Sequence, residues 1–110
     1  ALQRGALKVF MNVLLIANEC LPKGGVVVVD AGPGENGDEI RVTCTGQRTG
    51  VRPATLAALR GEIPEDGYPG PVVQPLLTGI LARQAGVEIV AQTGEGQVTL
   101  VLRSPHFKIV

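Results

Sequence analysis

The chain has 110 residues, of which 45% are hydrophobic and 18% charged, so it can fold as one domain and is not disordered. Its formal net charge is zero, which argues against a nucleic-acid or anionic-membrane surface, because neutralising phosphates needs an excess of Lys and Arg. No apolar run approaches the roughly 20 residues that span a bilayer. We therefore expect no nucleic-acid or membrane partner.

The N-terminal part of the sequence predicts a helix over residues 2–21. Apolar residues recur at steps of three and four, and much of the remaining circumference is apolar as well. A helix that is apolar nearly all round is typical of a buried or sandwiched element. Pro22 and the pair Gly24-Gly25 should end it.

A hairpin should follow this helix. Val26–Asp30 is a β-branched run, and the next seven residues, AGPGENG, are rich in turn formers. Residues 39–45 alternate, so that Ile40, Val42 and Cys44 point to one face.

Residues 46–70 are dense in glycine and proline and predict a long connection. Within them only residues 53–60 have a helical pattern, with Pro53 suited to the first helical position. Long connections in compact domains are more often functional or mobile than short ones.

The C-terminal part predicts a helix over residues 71–85 and then a second hairpin with strands at 87–93 and 97–103. The helix should end at Gly86. Its expected buried stripe is Val73, Leu76, Leu77, Ile80, Leu81 and Ala85, and the inward strand residues are Val87, Ile89, Ala91, Val98, Leu100 and Leu102. Together these elements predict a two-layer α/β sandwich of the α+β class, a mostly antiparallel sheet covered by helices on one face.

The two cysteines, Cys20 and Cys44, have no CxxC partner and no neighbouring histidine cluster. We expect buried free thiols in a reducing cytosol, with a disulfide or a metal site as the alternatives.

The run VFMNVLLIANECLPKGGVVVV resembles the start of histidine-kinase ATPase domains, where a helix with two asparagines leads through Pro and Gly-Gly into a strand. In that family the second asparagine coordinates the magnesium that bridges the nucleotide phosphates. Aligned on Pro22, the first asparagine is Asn12, but the second position is Ile16. An aliphatic side chain offers no oxygen to Mg²⁺.

The next motif of those ATPase domains is DxGxG after the second strand. Asp30-Ala31-Gly32-Pro33-Gly34 has these letters but comes one strand early, where a hairpin turn is the more economical explanation. After the second strand, Cys44 occupies the position of the aspartate that binds adenine in that family, and Arg48 occupies the position of the second glycine. The glycines of the phosphate lid are also scattered, at Gly67, Gly70 and Gly79, with prolines between them.

The stretch VVQPLLTGILARQAGVEIVAQTGEGQVTLVLR is similar to the C-terminal half of the bacterial histidine phosphotransferases of the ChpT type. The resemblance implies a single degenerate ATPase-like domain over residues 1–110, with loop 46–70 in place of the nucleotide lid. It implies no ATPase or kinase activity, no cofactor and no metal. The phosphoryl-accepting histidine of that family lies on an upstream helical hairpin that is not in this chain and through which the parent would dimerise. His106 is expected to be an ordinary surface residue.

The resemblance implies a cytoplasmic, non-catalytic domain that helps to dock a response-regulator receiver domain beside the histidine. The arginines in or beside the long loop, Arg48, Arg52 and Arg60, are the candidates for meeting an acidic receiver surface. The alternative is an active Mg-ATP-binding kinase or anti-sigma-factor domain that uses Asp30, Gly32 and Gly34. A further alternative is a purely structural domain that dimerises through its first helix.

Overall fold

The computed structural model describes residues 4–34, 37–63, 67 and 70–104. Within these ranges the elements follow one another as α1 (Arg4–Glu19), β1 (Val26–Gly34), β2 (Gly37–Thr45), α2 (Pro53–Leu59), α3 (Val73–Ala85), β3 (Glu88–Gly94) and β4 (Gln97–Arg103). One turn of 3₁₀ helix, Gly70–Val72, leads into α3. Each predicted helix and strand is present, with bounds that differ by a few residues.

The four strands form one antiparallel sheet in the order β1-β2-β4-β3. The two hairpins therefore meet through β2 and β4, where Val42 lies opposite Leu100. β1 continues to Gly34, which pairs with Gly37. The prediction that residues 31–34 belong to the turn is wrong, because their backbones extend the ladder with β2.

One face of the sheet is covered by helices, which confirms the two-layer α+β architecture. The core is apolar and lies between α1, α3 and the inward face of the central strands. Its fully buried members include Val9, Val13, Ile16, Val42, Cys44, Val98, Leu100 and Leu102. The inward sets predicted for the strands lie in or against this core.

α1 is buried on one side only, so the expectation of a helix covered all round is wrong. Leu7, Met11 and Leu15 are 45–58% exposed on its outer side. The valines at 26–29 of the edge strand β1 are also exposed. Only two layers are present here, and the second face of α1 has no described element to pack against.

The buried face of α3 also differs from the predicted stripe. Val73, Leu77 and Ile80 are at least 40% exposed, whereas Pro75, Thr78, Gly79 and Ala82 are buried. Small residues face inward because α2 lies against α3: a Cβ at position 79 would stand 3.0 Å from the carbonyl carbon of Leu59. The predicted helix end is confirmed, since Gly86 takes the left-handed conformation with φ 70°.

Candidate functional site

A cavity of about 630 Å³ opens between the end of α1, the loop after β2 and the start of α2. It is lined by Ile16, Glu19, Cys20, Pro22, Arg48, Gly50, Val51, Arg52, Pro53 and Thr55. The first part of the long connection predicted from the density of glycine and proline, residues 48–55, therefore forms one wall of this cavity.

The floor of the cavity is apolar and well packed. Ile16 is 1% exposed, Cys20 3% and Thr55 4%. Burial, together with the nearby Cys44 and Glu19, raises the pKa of the Cys20 thiol to about 11. The thiol is therefore neutral at physiological pH and adds no charge to the floor.

Backbone hydrogen bonds hold the loop that forms the wall. The N–H of Gly46 donates to the carbonyl of Gly96, and the N–H of Gly50 donates to the carbonyl of Cys20, both at 3.2 Å. The Thr49 hydroxyl donates to the carbonyl of Gly46 at 2.7 Å. These bonds fix the loop against the end of α1 and the β3–β4 turn.

Arg48 and Arg52 both lie on the rim of this cavity and are exposed. Arg48 has φ 55°, the left-handed conformation, which turns the chain back after β2. Arg52 lies directly before α2 in an extended conformation. Within the described part of the chain neither guanidinium has an ion-pair or hydrogen-bond partner, whereas those of Arg41, Arg60 and Arg103 are paired.

Arg60, the third arginine singled out from the sequence, lies elsewhere. Its Nε donates to Glu62 at 2.9 Å. It borders a smaller cleft of about 250 Å³ beside β3, with Leu56, Leu59, Ile89, Val90 and Ala91. The structure thus brings two of the three predicted arginines together.

The positions that correspond to nucleotide-binding residues in the ATPase domains have other roles here. Ile16 packs in the core, and the thiol of Cys44 is fully buried and points to the carbonyl of Ala17 at 3.8 Å. The amide of Asn12 donates to the carbonyl of Lys8, one turn back in its own helix, at 2.8 Å. The described residues contain no cluster of His, Cys, Asp or Glu that could hold a metal ion.

Within the Asp30–Gly34 motif, the side chain of Asp30 points to the face of the sheet away from the helices. Asp30 pairs across the strands with Arg41, whose neighbours Ile40 and Val42 point into the core. The carboxylate and the guanidinium therefore share the face away from the helices, where Nη2 of Arg41 lies 2.7 Å from Oδ1 of Asp30. This ion pair raises the pKa of Arg41, chiefly through the hydrogen bond from the guanidinium.

Sequence reasoning missed Glu19 and Val51 as members of the cavity lining. Glu19 is the last residue of α1, and its helical position alone could have placed it near the following loop. Cys20 and Cys44 are free and buried, as predicted. His106 lies outside the described residues, and no described helix is long and apolar enough to cross a membrane.

Comparison with known proteins identifies the family to which this chain belongs. The sequence model described as the histidine phosphotransferase C-terminal domain matches residues 1–97. The protein phosphotransferase ChpT of Brucella abortus (strain 2308) is 32% identical over 88 residues, which cover 80% of this chain and 42% of the relative.

A solved structure of a bacterial phosphotransferase superposes with a TM-score of 0.80 at 27% identity, and the match covers 93% of this chain and 50% of the other. The chain thus spans about half the length of the relatives it matches. Both its sequence and its fold show that this chain belongs to the histidine phosphotransferase C-terminal domain family.

Proposed function

We propose that this domain is the non-catalytic part of a phosphorelay histidine phosphotransferase and helps to dock a response-regulator receiver domain without binding ATP. The observation that carries the proposal is that the guanidiniums of Arg48 and Arg52 lie on one rim and have no partner among the described residues. Free cations at a surface steer an acidic partner and can accept its carboxylates on contact.

The apolar floor behind the two arginines supports the same role. Protein interfaces combine a desolvated apolar centre with a polar rim, and arginine is enriched among the residues that contribute most. Ile16, Val51 and Cys20 provide the apolar centre here, and the arginines provide the rim. Since Arg60 is paired with Glu62, we propose that it contributes less to docking than the other two.

The replaced nucleotide-binding residues support a domain that does not use ATP. At position 16 a buried aliphatic side chain stands where magnesium needs an oxygen, and Arg48 occupies space where the base needs a glycine. The alternative motif at Asp30 points away from the cavity and is already paired with Arg41. We therefore also propose that the chain has no kinase or ATPase activity.

For the whole protein we propose that phosphoryl transfer occurs at a histidine on a helical hairpin outside this chain, which also forms the dimer. The support is the similarity to a phosphotransferase in which this chain covers 42% of the length. A reducing, cytoplasmic location is proposed from the two free buried thiols. The coding sequence of the parent protein tests this: a helix with His followed by an acidic residue is expected.

The docking proposal is tested by titrating a receiver domain of the same phosphorelay into the labelled protein and recording amide NMR shifts. We expect the resonances of Gly50, Val51 and Thr55 to move. The double variant Arg48→Asn plus Arg52→Gln should weaken binding about tenfold or more, and more so at low salt. Asn is chosen at 48 because it tolerates the left-handed conformation.

Two single variants serve as controls for the change of charge. Arg4→Gln removes a positive charge at the opposite end of α1 and should leave the affinity unchanged. Arg60→Gln should cost no more than about threefold, because Arg60 borders a different cleft beside β3 and does not line the cavity. Unchanged affinity in the double variant, or no shifts at the cavity, would contradict docking at this site.

Absence of ATP binding is tested by calorimetric titration with Mg-ATP. We expect no heat of binding at millimolar nucleotide. A dissociation constant in the micromolar range would overturn this part of the proposal, and loss of that binding in Asp30→Asn would then favour the alternative motif.

A further inference from the structure

The cavity between α1 and the loop after β2 has the dimensions of a small-molecule site. Its volume of about 630 Å³ lies within the several hundred cubic ångströms typical of such sites. Its wall is held in place by the hydrogen bond from Gly50 to the end of α1, and two prolines, Pro22 and Pro53, restrict the backbone at its edges. A preformed depression of this kind loses little entropy when a ligand enters.

The chemistry of the lining defines the ligand. An apolar floor of Ile16, Cys20 and Val51 accepts a hydrocarbon or aromatic body. At the rim, Arg48 and Arg52 provide planar donors that match a carboxylate or a phosphate and have no competing partner in the described chain. We propose that this cavity binds a small amphipathic anion, an apolar body that carries one carboxylate or phosphate group, without a metal ion.

Glu19 further restricts the class of ligand that the cavity can bind. Among the described residues that line the cavity it is the one carboxylate, so these residues offer too few oxygen ligands for a hard cation that would neutralise a polyphosphate. Its negative charge also opposes ligands that carry several anionic groups. The lining therefore favours a ligand with a single carboxylate or phosphate group, whose charge is balanced by the guanidiniums alone.

Binding of a free anion needs no second protein and is therefore distinct from receiver docking. The two would still compete, because an anion bound to Arg48 and Arg52 occupies the donors that an acidic receiver surface would need. A metabolite and an acidic side chain of a partner share this chemistry, and binding of a free anion in the absence of any partner distinguishes the two.

The probe is naphthalene-2-carboxylate, and its neutral control is naphthalene-2-methanol, which has the same ring system without the charge. We expect saturable amide shifts at Gly50, Val51 and Thr55 with the carboxylate, and affinity at least about tenfold weaker with the alcohol. Arg52→Gln should weaken carboxylate binding about tenfold, whereas Arg60→Gln should stay within about twofold. Added Mg²⁺ should have no effect.

Several results would overturn the inference. They are no saturable binding up to roughly 10 mM carboxylate, equal affinity for acid and alcohol, and unchanged affinity in Arg48→Asn plus Arg52→Gln. Shifts confined to the exposed side of α1, around Met11 and Leu15, would also overturn it. A protein that binds a receiver but not the carboxylate would contradict this inference and leave the docking proposal intact.

Discussion

The Nε of Arg103 donates to Oε1 of Glu39 at 2.9 Å, although 64 positions separate the two residues along the chain. The contact exists because β2 and β4 are neighbours and place the two residues directly opposite each other. Glu39 also accepts from Arg41 at 3.3 Å, and its side chain is 14% exposed. This carboxylate therefore joins the two hairpins on the face of the sheet away from the helices.

Glu39→Gln should destabilise the fold by about 1 kcal/mol, because the guanidiniums of Arg41 and Arg103 lose a partly buried anionic acceptor. Glu88→Gln is the matched control: Glu88 flanks the same arginine at 3.8 Å but is 69% exposed, and its loss should cost less than about 0.5 kcal/mol. Urea denaturation measures both. Equal costs for the two variants would show that burial of Glu39 does not strengthen its contacts.

Gly79→Ala should destabilise the protein by about 1–3 kcal/mol even though alanine favours helices by about 1 kcal/mol. The added methyl group would collide with the Leu59 carbonyl and push α2 away from α3. Gly50→Ala is the control, since nothing lies within 4 Å of a Cβ there. Thermal unfolding compares the two, and a stabilised Gly79→Ala variant would mean that α2 packs more loosely than the structure shows.

Ile16→Asn should cost about 2–4 kcal/mol, because it removes a buried aliphatic side chain and brings an amide into the core. Ile16→Val keeps the apolar character and should cost about 1 kcal/mol. We also expect that the asparagine variant does not gain Mg-ATP binding, since Cys44 and Arg48 remain. Restored nucleotide binding in calorimetry would contradict this explanation of position 16.

Alkaline pH should weaken the fold through Cys20. Its pKa rises from 9.0 to about 11 on folding. Below pH 9 the thiol is therefore protonated in both states, and its contribution to the free energy of unfolding is fully present. Between pH 9 and pH 11 the unfolded thiol ionises first, and stability should fall by about 2–3 kcal/mol.

Urea denaturation under reducing conditions at pH 8, 9.5 and 11 measures this loss. Cys20→Ala should show a smaller decrease over the same range, because one of the two buried thiols with a raised pKa is absent and only Cys44 remains. If the variant and the original protein lose stability equally with pH, other groups are responsible.

How far the sequence predicts the site depends on the residue. Glycine and proline density predicted the loop, and the resemblance pointed to Ile16, Cys44 and Arg48 as positions without nucleotide ligands. From the sequence alone Arg60 cannot be separated from the other two arginines, because all three lie in or beside one loop. Only the course of α2, which carries Arg60 toward β3 and Glu62, separates it from the cavity.

The sequence by itself determined the helices and strands and the buried face of the sheet, because the signals for them are local. These signals are the alternation of apolar residues at 39–45 and 97–103 and the helix-ending glycine at position 86. The tertiary structure decided which side of each helix is buried. α1 and α3 carry more apolar residues than two layers can cover. Which of these residues are buried depends on where small residues such as Gly79 allow two helices to approach closely. It also decided that Arg48 and Arg52, and not Arg60, share one rim, since backbone hydrogen bonds hold the loop after β2 against the end of α1, whereas Arg60 lies beside β3.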